Sequence, residues 1–189
     1  MRKMAMLLCA LVWVSLHPHA LAAGAQMRLY TGQSGYTVAV PGDWVTLFGE
    51  DDEEDDGAVQ PGEDEAMFMA PDGATSLVLA CGEPQADARA YLENLTQEQM
   101  AAPFSAIAGF APLGFQADPA LPSAMLAFAY IEEEGDTPMV QYVVFFLAQQ
   151  EVSVLTISVP QQNLDAMRPI IGGIITSIDT GEVRTGAEG

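Results

Sequence analysis

Ten carboxylates crowd into the eighteen residues from Gly49 to Ala66, GEDDEEDDGAVQPGEDEA. A hard cation such as calcium needs several converging oxygens and a sharp bend in the chain that carries them. The spacing offers both: Asp52 takes position 1 of a twelve-residue calcium loop, Glu54 position 3, Asp56 position 5 and Glu63 position 12, with Gly57 at the turn. Val59 adds an apolar residue at position 8. Against this, Glu54 stands where the pattern wants Asp or Asn, Pro61 stiffens the loop, and the flanks read as strands and not as a helix pair. Seven consecutive carboxylates also match acidic patterns by chance. The simpler expectation is a solvated, self-repelling loop between two strands. Calcium held by Asp52, Glu54, Asp56 and Glu63 is the alternative, and a basic protein partner the third.

Other chemistry is thinly supplied. The N-terminus, MRKMAMLLCALVWVSLHPHALA, has Arg2 and Lys3 ahead of an apolar stretch from Met4 to Leu16, then Ala20-Leu21-Ala22 in a small-x-small pattern. This predicts a secretory signal over residues 1–22, too short in its apolar part to span a bilayer. Leu7-Leu8 before Cys9 does not suit a lipid-anchoring site. Both histidines, the only lysine and one of two cysteines fall within residues 1–22. Residues 23–189 then hold four arginines against 26 acidic residues, a net charge of −22.

That inventory leaves no Ser-His or Cys-His pair, no imidazole for a metal, no Schiff base and no ammonium clamp for phosphate. It argues against catalysis, although a glycosidase working with two carboxylates survives the test. Nucleic acid and anionic lipid are repelled by such a charge. No later segment approaches the roughly 20 apolar residues of a membrane helix. The expectation is a secreted or periplasmic protein with no cofactor other than the calcium alternative.

Four smaller features have plain readings. Cys81 follows Ser76-Leu77-Val78-Leu79-Ala80 and reads as a small buried hydrophobe. Glu132-Glu133-Glu134 with Asp136 read as a charged hairpin turn. Asn94-Leu95-Thr96 is a glycosylation sequon inside a predicted helix, and Trp44 and Phe48 read as core.

The elements that would position these residues are read from periodicity. Tyr36, Val38 and Val40 alternate with Thr37 and Ala39, so Ser34–Trp44 reads as a strand ending at Pro41-Gly42. Trp44–Phe48 then reads as its hairpin partner. Ala66–Ala70 and Thr75–Cys81 are short strands joined by the turn residues Pro71-Asp72-Gly73. Ala88, Tyr91, Leu92 and Leu95 share one face of a helix from Asp87 to Ala101. A weak strand covers 109–116, and three firm ones cover 123–131, 139–148 and 152–159, with connections short enough for antiparallel neighbours. QYVVFFLA, apolar on both faces, reads as a central strand. A last helix runs from Pro160 to Ile178, kinked or split by Pro169 and Gly172-Gly173.

Half of the residues are hydrophobic, and about 150 residues are enough for one core. The organisation expected is a signal at 1–22, a linker at 23–33, one domain at 34–180 carrying the acidic loop 49–66, and a polar tail at 181–189. The fold class is α+β, an antiparallel sheet with helices on its faces. With these elements in this order, the chain resembles the Mog1/PsbP-like superfamily. The likeness is carried by YTVAVPGDW, by the helix ADARAYLENL, and by the ending QYVVFFLAQQEVSVLTISVPQQNLDAMRPIIGGIITSI. The resemblance implies an α/β/α sandwich and a binding or accessory role. None of that superfamily's binding residues has a recognisable counterpart here, and its general pattern does not include the acidic insertion.

Overall fold

The computed structural model describes residues 26–48, 64–82, 85–118, 122–132 and 136–181. The first strand, β1 (Met27–Thr31), pairs antiparallel with β2 (Thr37–Pro41) in a small two-stranded sheet. Seven strands form the main sheet: β3 (Val45–Phe48), β4 (Asp64–Met69), β5 (Ser76–Cys81), β6 (Ala111–Asp118), β7 (Ser123–Glu132), β8 (Thr137–Ala148) and β9 (Glu151–Pro160). Their order is β3-β4-β5-β9-β8-β7-β6, and every neighbouring pair is antiparallel. Helices α1 (Ala88–Glu93), α2 (Gln97–Ala101) and α3 (Leu164–Thr176) complete the α+β architecture.

Strand alternation divides the sheet into two cores. On one face, Ala66, Phe68, Leu77, Leu79, Leu155, Ile157, Val140, Val144 and Phe146 are buried beneath the β1–β2 hairpin and Ile171 and Ile174 of α3. On the other, Leu126, Phe128, Val143 and Leu147 pack under Leu92, Leu95 and Met100 of the α1–α2 region. Strand β8 contributes to both, as expected for QYVVFFLA.

Four expectations need correction. Residues 27–31 are a strand where a linker was expected. Strand β2 therefore pairs with β1, and β3 pairs with β4 in the main sheet, so Ser34–Phe48 is not one hairpin. Pro41-Gly42-Asp43 carries the chain from one sheet to the other, because the Gly42 N–H is taken by the Gln26 carbonyl and not by a strand reversal. The helix expected at 87–101 is two helices. Thr96 caps α2 with a reciprocal box, its side chain accepting from the Gln99 N–H while the Gln99 side chain accepts from the Thr96 N–H. The last helix is not split: α3 is continuous through Pro169. Pro169 and Asp165, whose carbonyl loses its i+4 partner, both lie on the exposed side, open to water.

The end of α3 fastens the hairpin. Thr37 and Asp179 exchange N–H···O bonds of 2.8 and 2.9 Å, and the Ala39 N–H donates to Ser177 Oγ at 2.8 Å. The outer edge of β2 is thus partly paired instead of left open.

Candidate functional site

The four calcium candidates, Asp52, Glu54, Asp56 and Glu63, lie outside the described residues. The anchors of that segment are described: it leaves the end of β3 at Phe48 and returns at the start of β4, two paired antiparallel strands. The second acidic cluster is similarly divided. Glu132 ends β7, exposed, and Asp136 opens the approach to β8 with a positive φ of 51°, while Glu133 and Glu134 lie outside the described residues. Among the described residues, no group of three or more His, Cys, Asp or Glu is gathered closely enough to hold a metal.

One member of the acidic run behaves otherwise. Glu65, expected in the solvated loop, is only 4% exposed. A register shift between Asp64 and Ala66 inserts it into β4 as a bulge. Its Oε2 accepts from the Tyr36 hydroxyl at 2.7 Å, and its Oε1 accepts from the Gln33 N–H. A buried carboxylate is tolerable only when its oxygens are satisfied in this way. The partners come from the β1–β2 turn, GQSGY, which closes through Gly32 N–H to Tyr36 O at 3.0 Å and Gly35 N–H to Gly32 O at 2.9 Å. Gly35 adopts φ +73°, the left-handed region that favours glycine. Nearby, Ser34 Oγ donates to Glu151 Oε2 at 3.1 Å, and Tyr36 packs edge-on against Phe146 with centroids 5.0 Å apart. Two carboxylates therefore tie the hairpin turn to the sheet.

Cys81 ends β5 half-buried, opposite Ser153 of β9. It is less enclosed than its sequence context implies. Burial pushes its thiol up, and Glu65 and Glu151 push it further, which disfavours the nucleophilic thiolate. Trp44 is core, as expected, while Phe48 is half-buried. Asn94 is the exposed cap of α1, its Nδ2 donating to the Ala90 carbonyl at 2.7 Å.

The tyrosines make a testable statement about pH. Burial raises Tyr36 above the ordinary tyrosine range, and its hydrogen bond to Glu65 adds to this. Burial also raises Tyr130, against a bond with Ser158, and Tyr142, against the charge of Arg168. Below about pH 10 both folded and unfolded chains keep these protons. Above it the unfolded chain ionises first, so stability falls by up to about 1.4 kcal/mol per pH unit for each such tyrosine. Urea unfolding between neutral and strongly alkaline pH should show this decline, less steep in Tyr36→Phe. A flat profile would contradict the burial.

A different feature is available to a partner. The side of β4 and β5 carrying Ala66, Phe68, Leu77 and Leu79 is fully buried, but the opposite side, with Met67, Met69, Val78 and Ala80, is half-open. The register places Val45 beside Met69 and Phe48 beside Met67 on that same side. Among the described residues, helices α1 and α2 contact β7 and β8 and do not cover this half of the face. Val45 is 60% exposed, and Leu47, in a bulge between Thr46 and Phe48, is 52% exposed. Composition alone does not reveal such a patch, because exposure depends on where the covering helices stop.

Among solved structures, the chain is similar to cyanobacterial PsbP (CyanoP) from Synechocystis sp. PCC 6803, at 10% identity over 87% of this chain and 98% of that one, with a TM-score of 0.54. The chain has the Mog1/PsbP-like fold. The similarity extends to other proteins of this fold. The Ran-binding protein Mog1p of Saccharomyces cerevisiae matches at 9% identity over 82% of this chain and 96% of its own, with a TM-score of 0.49. LpqN of Mycobacterium tuberculosis, involved in cell envelope biogenesis, matches at 14% identity over 82% and 90%, with a TM-score of 0.44. No protein-family model matches the chain, and no curated protein matches it. At these identities the likeness is one of fold, and no residue role accompanies it.

Proposed function

We propose that this Mog1/PsbP-like chain is an exported, non-catalytic binding or accessory module. The observation that supports it most directly is the half-open apolar face of β3, β4 and β5, since contiguous exposed apolar surface marks interaction sites more often than isolated residues do. Two further observations agree. Beyond residue 22 the sequence contains neither histidine nor lysine, and the buried carboxylate Glu65 is engaged in holding the hairpin turn. The apolar N-terminal segment supports export. Among the described residues, no helix is long and apolar enough to cross a membrane.

The test is photo-cross-linking in cells that produce the protein, with a photoreactive phenylalanine at position 47. A reproducible protein adduct is expected, and absence of any protein adduct would remove the reading. The calcium alternative, suggested by the spacing of Asp52 to Glu63, is tested separately by thermal unfolding in EDTA, calcium and magnesium. A ligand at 100 times its dissociation constant adds about 2.7 kcal/mol. A calcium-selective rise abolished by Asp52→Ala with Glu63→Ala would put that reading first.

A further inference from the structure

We propose that the half-open face formed by Val45, Leu47, Met67, Met69 and Val78 docks a cationic polypeptide segment of another protein, one that carries apolar side chains among its lysines or arginines. This rests on the reading of the chain as a binding module and adds the partner's chemistry.

The patch itself calls for apolar anchors. Leucine and valine at 52% and 60% exposure stand beside two half-buried methionines. Methionine's flexible, polarisable side chain adapts to varied apolar shapes, which suits a docking surface more than a fixed core. Strand β3, VTLF, is also an edge of the main sheet and carries no charged residue. Natural edges are usually guarded by charge, proline or brevity. The opposite edge, β6, carries Pro112 and Asp118 and a register shift after Pro112. On β3 brevity and a bulge serve, together with Arg28, whose Nη2 donates to the Trp44 carbonyl at 3.1 Å and to Thr46 Oγ1 at 2.6 Å.

Charge selects the occupant. The strands that carry the patch are joined by residues 49–63, which contain eight carboxylates, and Asp43 lies exposed two residues before Val45. The whole sequence has a net charge of −20. A second copy would bring the same net negative charge, and an anionic lipid surface would be repelled as well. A basic segment with apolar anchors satisfies both features: its side chains cover the patch while its charges are drawn to the exposed Asp43 and to the chain's net negative charge. The attraction should weaken as salt rises, because exposed charges are screened over about 10 Å at 0.1 M.

The experiment uses the full exported chain and three short synthetic peptides: lysine/leucine, lysine/serine and glutamate/leucine. Binding is followed by calorimetry and by backbone amide shifts. The lysine/leucine peptide is expected to bind, shifting residues 45–48, 67–69 and 76–80. Replacing Val45→Thr together with Leu47→Gln should weaken it about tenfold, the scale of losing a central apolar anchor. Both sites are exposed, so folding should survive; if the pair misfolds, Val45→Thr alone keeps the β-branch and serves instead. The lysine/serine peptide should bind at least tenfold more weakly than lysine/leucine.

Equal affinity in the patch variant would overturn the proposal, as would equal binding of the glutamate/leucine peptide. A concentration-dependent dimer in sedimentation, lost in the variant, would assign the face to a second copy and also overturn it. Shifts confined to another face, with the adduct from position 47 still formed, would refute a cationic occupant here while leaving the module reading standing. That reading falls only with the cross-linking result from position 47.

Discussion

Replacing Glu65 with alanine is expected to lower the unfolding free energy by about 3–5 kcal/mol, among the larger effects available to a single substitution. The carboxylate is 4% exposed and accepts from the Tyr36 hydroxyl and the Gln33 N–H. Alanine would leave the Tyr36 hydroxyl without an acceptor in a site closed to water, and would take from the Gln33 N–H, on an exposed residue, its charged acceptor. Each such loss costs about 1–3 kcal/mol, and bonds to a charged group lie towards the upper end. For a chain of this size the loss corresponds to roughly 6–20 °C in melting temperature.

The conservative variant separates hydrogen bonding from packing. Glu65→Gln keeps an acceptor oxygen for one of the two donors, so about half the loss should be recovered. A double-mutant cycle with Tyr36→Phe isolates the Tyr36–Glu65 bond and should return a coupling of about 1–3 kcal/mol. Hydrogen exchange gives the location: amides of the turn 32–36 should lose protection before those of β8 and β9. If Glu65→Ala unfolded like the parent, the carboxylate would have to be solvated, and the hairpin would be held by α3 and packing alone.

Glu65 also marks a limit of sequence reasoning. Its neighbours in GEDEA are polar, and nothing in the residue types separates it from Glu63 or Asp64. The bulge that turns it inward depends on the register of β4 against β5, which involves Ala80 and Leu79 far along the chain. The same limit explains the hairpin. YTVAV alternates clearly, so a strand is legible, but alternation names a strand's buried side and not its partner. The partner, MRLYT, has only Tyr30 fully buried, too little pattern to stand out.

The longer strands β7, β8 and β9 are legible almost to the residue, because ten or more positions of alternating pattern in β7 and β9, and a β-branched and aromatic apolar run in β8, leave little room for a helix. The break between α1 and α2 has a cue in the sequence that apolar periodicity overrides: Thr96-Gln97-Glu98-Gln99 is a capping-box sequence. Pro169 misleads in the opposite direction. Burial of Ile171 and Ile174 outweighs one missing hydrogen bond on a solvent-facing turn. The open face of β3, β4 and β5 is not legible at all, since Met67, Met69 and Val78 look like core until the helices are seen to end elsewhere.

Phe128→Ala tests whether the two halves of the sheet are energetically separate. Phe128 is fully buried on the face covered by α1 and α2, with ring centroids 4.8 Å from Phe104, 5.1 Å from Phe110 and 6.0 Å from Tyr130. Truncating a buried phenylalanine costs about 3–5 kcal/mol through lost burial and the cavity left behind. The lost aromatic pairs place this case towards the top of that range. The loss should appear first as faster hydrogen exchange in α1, α2 and residues 102–110, which pack on β7 and β8 and make few contacts elsewhere. Strands β3 and β4 lie at the other end of the sheet, beyond β5 and β9. Below its new melting temperature the variant should therefore bind the lysine/leucine peptide within about twofold of the parent, since distant sites with no shared partners add independently. Val45→Thr with Leu47→Gln should do the reverse, weakening binding while leaving stability nearly unchanged, because substitutions at exposed positions usually stay within about 0.5 kcal/mol. If Phe128→Ala abolished binding in the folded state, docking would depend on the α1–α2 layer, and the interaction surface would have to be moved to that end of the sheet.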